Sequence, residues 1–152
     1  MTTKGSVAVA IENDRAPAPR FLVVDSRVPE SIRQLLEEAD GCLNMSFIVG
    51  GTACARRAIR VILDSEGVKG DDFRTCLLAL GEKHPAVPPT LFQILELLAA
   101  GEKPLKTDAL KALIATAKGM VYEIYVLGAE RIESFEYLSD LLKALDRDKA
   151  VP

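Results

Sequence analysis

The sequence predicts an all-α protein: an antiparallel helical bundle of about five to six helices behind a short extended N-terminal segment. Two observations carry most of that expectation. From residue 29 onward, apolar residues recur at helix spacing rather than in alternation. Aromatic residues are 5% of the chain, with no tryptophan, while Leu and Ala dominate the second half, and that composition favours helix over sheet. A length of 152 residues suits one domain with a real core. The expected division is an N-terminal extension, residues 1–28, followed by a single helical-bundle domain, residues 29–152.

Within the extension, residues 7–11 and 21–24 are short β-type runs, each readable as an edge strand, a hairpin arm or part of a tail. The second, Phe-Leu-Val-Val, is the piece expected to dock, because four large apolar residues in a row are costly to leave in water. Pro29 suits a first helical position, and Ile32, Leu35, Leu36, Ala39 and Leu43 follow at helix spacing. A second helix is expected after Gly50 and Gly51, ending at Gly67. A third begins near Asp71 or Asp72 and carries Phe73, Cys76, Leu77 and Leu80. Gly81 and a Pro-rich connector separate it from a fourth, from about Thr90 to Ala100. Thr107 is the expected N-cap of a long fifth helix reaching Leu127. Apolar residues occupy most of its circumference, which predicts the central position. The sixth, from about Glu130 to Arg147, sets Ile132, Phe135, Leu138, Leu142 and Leu145 on one stripe, so it either packs on the bundle or mates with another copy.

Charge and composition exclude several functions. A net charge of −3 argues against a nucleic-acid binder that depends on its overall field. Three cysteines without a C-x-x-C pair suit small core residues in a reducing compartment. The most apolar stretch, residues 109–127, is interrupted by Lys111, Lys118, Gly119 and Glu123, a poor membrane span. The expected location is the cytoplasm. No cofactor is expected: a single histidine, His84, excludes the paired Glu-x-x-His design of helical carboxylate metal sites, and no Gly-rich phosphate loop is present. As a lone histidine in a connector, His84 is expected to face solvent.

The second helix poses the main chemical question. Arg56, Arg57 and Arg60 share a narrow arc at about 100° per residue, with Asp64 four residues beyond Arg60 and Glu37, Glu38 and Asp40 on the first helix as further partners. Read structurally, they make ion pairs between helices, and replacing Arg57 by Ala lowers stability or dimer strength. Read functionally, they grip phosphate, since the guanidinium fork matches phosphate geometry. That second reading needs Lys103 and Lys106, with Lys111 and Lys118, gathered into the same groove. Tyr122 and Tyr125 default to core packing, and together with Ile132, Phe135, Leu138 and Leu142 they form the candidate oligomer interface.

The order of Leu36-Glu-Glu-Ala-Asp40, a small-residue turn, Ala53-Cys-Ala-Arg-Arg-Ala-Ile-Arg-Val-Ile-Leu63 leading to Gly67, a Leu-rich third helix, a Val-Pro-Pro connector and a helix ending in Gly101 resembles the family called domain of unknown function 4145. That family in turn resembles the HEPN superfamily of helical domains in prokaryotic conflict systems. The resemblance covers roughly residues 29–127 and implies the helical fold. Active HEPN ribonucleases use an R-x-x-x-x-H-type motif near the start of a late helix. The related family shows Gly-Asn followed by a histidine there. Here Gly101 matches, Glu102 stands in place of the Asn, and neither arginine nor histidine follows. The expectation is therefore a non-enzymatic interaction module, a homodimer or the binder of a protein partner, regulatory or antitoxin-like in role. An RNA, DNA or nucleotide-phosphate binder is the alternative, and a degenerate ribonuclease using Lys103 or Lys106 the third reading.

Overall fold

A computed structural model describes residues 25–150, and every regular element among them is helical. The expected runs at 7–11 and 21–24 lie outside the described residues. The protein is an all-α bundle.

Helix α1 spans Glu30–Asn44 and turns Ile32, Leu36 and Ala39 inward; Pro29 occupies its cap position rather than its first turn. A three-residue connection, with Ser46 in the left-handed region at φ 62°, folds the chain back into α2, Ile48–Ser65, so that α1 and α2 form a helical hairpin. Helix α2 starts ahead of the glycine pair instead of after it. The pair serves packing: a Cβ on Gly51 would lie 2.8 Å from Leu110 Cδ2 and 3.3 Å from Cys42 Cβ. A bare backbone at that point lets α1, α2 and the later central helix meet.

Helix α2 stops as expected. Gly67 takes φ 68°, its N–H donates to Asp64 O (3.1 Å), and Val68 N–H donates to Leu63 O (3.3 Å), which closes the last turn of carbonyls. Helix α3, Phe73–Lys83, is capped by Asp72, whose Oδ1 accepts from Thr75 N–H at 2.8 Å. It runs through Gly81 rather than ending there. Helix α4 covers Pro89–Leu98. Helix α5, Thr107–Val121, has Lys106 at the cap position and Thr107 inside the first turn, without the expected side-chain cap.

Helix α5 is the core element. Leu110, Leu113, Ile114, Ala117, Met120 and Val121 are buried, and α1, α2 and α4 pack around them. It continues through a π-helical turn, Tyr122–Leu127, into α6, Gly128–Ala150, without a break. By length and composition, the continuous helix Thr107–Lys149 could cross a membrane; half of its apolar window is buried in the bundle, where core packing accounts for the apolarity.

Of the two expectations for the sixth helix, packing on the bundle is not met among the described residues. From Arg131 to Lys149 every residue of α6 is exposed, and its extensive contacts are with the π turn it continues. At 1.5 Å per residue, the 23 residues of α6 extend roughly 35 Å.

Candidate functional site

The outer face of α2 and the α4–α5 connection enclose a groove of about 560 Å³. Positions 49, 52/53, 56/57, 60/61 and 64 recur at three- and four-residue intervals and so fall on one side of α2, while Gly101, Glu102 and Pro104 form the opposite wall. All three arginines line it, but they divide into two roles. Arg56 is 7% exposed. Its Nε–H donates to Leu98 O (3.1 Å) and Nη1–H to Lys103 O (2.6 Å). Leu98 ends α4, so its carbonyl lacks an intrahelical partner, and a cation is favoured there. Arg56 therefore holds the α4–α5 connection, through carbonyls rather than the expected carboxylates. Burial, and then the like charge of Arg60, pulls its guanidinium below the ordinary arginine value.

Arg57 and Arg60 are exposed and make no ion pair with any described residue. Asp64 lines the same groove without closing on Arg60. Of the α1 acids, Glu38 accepts from Cys54 Sγ at 3.5 Å and Asp40 pairs with Lys118 at 2.6 Å, while Glu37 is exposed and makes no ion pair with a described residue. Of the three arginines expected to be structural, Arg56 is the one with stabilising hydrogen bonds among the described residues.

The lysines do not join this groove. Lys103 contributes its carbonyl, Lys106 caps α5, and both side chains are exposed. Lys118 is 1% exposed and committed to Asp40. The candidate oligomer interface also divides. Tyr122 and Tyr125 lie half-buried against the core, whereas Ile132, Phe135, Leu138 and Leu142 are exposed.

One constellation carried no expectation in the sequence. His84 is half-buried rather than solvent-facing, and its Nε2 pairs with Glu66 Oε1. Lys83 Nζ donates to Glu66 O at 2.5 Å and lies 3.6 Å from its carboxylate. Tyr125 lies close to the same glutamate; burial, and then the charge of Glu66, pushes its phenol well up. Glu66 is the C-cap of α2, where the helix dipole disfavours an acid. That conflict is the signal a sequence offers: an acid just before a C-terminal glycine needs cations from elsewhere, here the end of α3.

The three cysteines are free and half-buried. Burial, then the hydrogen bond to Glu38, pushes the Cys54 thiol up to about 11. Among the described residues, no group of three or more His, Cys, Asp or Glu could hold a metal ion. The chain gives no significant match to any protein-family model, curated protein or solved structure.

Proposed function

We propose that this chain is a non-enzymatic helical interaction module that self-associates by antiparallel pairing of α6. The observation that carries the reading is the exposed stripe on a projecting helix. Phe135, Ile132, Leu142, Leu145, Leu138 and Leu141 are 43–70% exposed. A soluble monomer rarely leaves so many large apolar groups on one helix in water.

The pattern favours a second copy as the occupant. About a two-fold axis between Leu138 and Ser139, Ile132 meets Leu145 and Phe135 meets Leu142. In the same register Glu130 falls opposite Arg147, and Arg131 opposite Asp146. The first part of α6 is acidic (Glu130, Glu133, Glu136, Asp140), and the later part carries Lys143, Arg147 and Lys149, so reversing one copy sets opposite charges together. Twelve apolar side chains across the pair, each about half exposed beforehand and so worth about 1 kcal/mol or more on burial, supply a gain of the same order as the roughly 4–15 kcal/mol cost of association. The likeness to domain of unknown function 4145 and to HEPN domains supports placing the module in the cytoplasm as a regulatory or antitoxin-like part of a prokaryotic defence system.

Native mass spectrometry of the full chain tests the pairing. A dimer converted to monomer by Leu138→Glu with Leu142→Glu, with the helical content of the circular dichroism spectrum retained, is the expected result. A monomer whose α6 amides are protected from exchange would overturn it and assign the stripe to the chain's own N-terminal residues.

A further inference from the structure

We infer that the α2 groove is a binding site for a small phosphorylated metabolite bearing hydroxyl groups, a sugar phosphate or nucleoside monophosphate. This is independent of α6 and of self-association. The first argument is the charge left open. Arg56 is buried without a carboxylate among the described residues, held by two neutral carbonyls and facing the like charge of Arg60. A desolvated guanidinium in that position gains from an anion. Its Nη2 makes none of these hydrogen bonds and lies where a Cβ on Gly101 would be 3.4 Å away, so a glycine keeps that side of the groove open.

Arg57 and Arg60 then supply two exposed guanidinium forks on the same side of α2, neither occupied by a described acid. Forks of this kind bind phosphate oxygens in pairs. With the buried Arg56, they line one groove.

The second argument sets the ligand's size and charge. Three guanidinium groups against the carboxylates of Asp64 and Glu102 leave a formal balance of +1. That suits a single phosphate and not a polyphosphate or a long nucleic-acid tract, whose affinity grows with the number of phosphates neutralised. When ionised, the two acids can accept hydrogen bonds but not donate them, so a ligand must offer them donors, and sugar hydroxyls do so. Val49, Val61 and Pro104 add apolar wall for a ring. A volume of about 560 Å³ falls in the range of small-molecule sites.

The test is calorimetric titration of the full chain with AMP, ribose 5-phosphate, inorganic phosphate and adenosine, alongside a 5′-phosphorylated oligoribonucleotide. AMP or ribose 5-phosphate is expected to bind at least tenfold more tightly than inorganic phosphate, and adenosine not at all. Arg57→Ala with Arg60→Ala is expected to weaken that binding at least tenfold at unchanged melting temperature, because neither side chain has a described ion-pair partner to lose. Arg60→Lys keeps the charge but not the fork and falls between. Absence of binding by all probes at millimolar concentration, or binding indifferent to the double replacement, overturns the site. Tighter binding of the oligonucleotide than of AMP, weakening steeply with salt, would overturn the small-ligand assignment in favour of RNA.

Discussion

Lys118 projects from the last turn of α5 and sets its ammonium 2.6 Å from Asp40 Oδ2 on α1, the lysine side chain 2% exposed and the aspartate 33%. A charge on the core helix is thereby turned into a tie between two packed helices. The pair is lopsided, because only the lysine is fully removed from water.

That asymmetry decides which partner can be removed. Asp40→Ala leaves a buried ammonium with no carboxylate, at a cost of about 3 kcal/mol. Lys118→Met substitutes an apolar chain of similar length and leaves an aspartate that water can reach, so its effect stays within about 1 kcal/mol. Denaturant melts of the two variants check this, and equal losses would show the lysine to be far better solvated than its surroundings indicate.

Two helical glycines are expected to respond in opposite directions. A Cβ added at Gly41 would meet no atom within 4 Å, whereas one at Gly51 would meet Leu110 Cδ2 at 2.8 Å. Gly41→Ala gains about 0.5–1 kcal/mol through reduced chain entropy and better helix propensity. Gly51→Ala forces apart α2 and α5 and loses about 1–3 kcal/mol. Thermal unfolding of both single variants gives the signs directly.

Adjacent arginines are expected to differ in kind. Arg56→Ala releases the carbonyls of Leu98 and Lys103 and costs about 2 kcal/mol. Hydrogen exchange in residues 99–106 should accelerate with it. Arg57→Ala, exposed and without an ion pair among the described residues, stays within about 0.5 kcal/mol. A large loss at Arg57 would mean that it holds a partner outside the described residues.

Direction of pairing can be read from cross-linking. In the antiparallel arrangement Ser139→Cys lies next to the two-fold axis, opposite Leu138 and one residue from its own counterpart, and oxidises to a disulfide dimer, whereas Ile132→Cys meets Leu145, far from its counterpart, and does not. The reverse pattern, efficient cross-linking at 132, would mean parallel helices. Cys42, Cys54 and Cys76 are best replaced first, since all three are free.

The Cys54 thiol carries a pH signature. Its folded value, about 11, stands above the ordinary 9.0 because burial and Glu38 disfavour the thiolate. The stabilisation from keeping it protonated is complete below pH 9 and is lost as pH rises through 11. Alkylation of Cys54 by iodoacetamide, followed by mass spectrometry, should remain slow at about pH 8 and rise only toward about pH 11. Rapid modification at the lower pH would show the thiolate to be stabilised.

Local rules made much of the bundle legible. The Gly67 stop, the Asp72 start, the inward face of Ile32, Leu36 and Ala39, and the centrality of the fifth helix all follow from spacing and terminal chemistry, which depend on a few neighbouring residues. The readings that failed turned on contacts across the fold. Gly81 reads as a stop but lies within α3, and Tyr122 and Tyr125, expected to pack on the core, do so and thereby part from the exposed α6 stripe with which they read as one interface. The Glu66–His84 pair joins residues 18 apart on two different helix ends, far beyond the three- and four-residue spacing of helix neighbours.

The sequence by itself determined the all-α class, the order of the helices and the amphipathic stripe of the last one, because periodicity and helix-end chemistry are local properties of the chain. Only the tertiary structure decided what the arginines do. On one helical arc, Arg56, Arg57 and Arg60 are equivalent in sequence; the α4–α5 connection buries the first against two carbonyls and leaves the other two open to the groove. Tertiary structure also decided that α6 stands clear of the bundle, because α5 runs through the π turn into α6 without a break and no turn folds the last helix back onto the core.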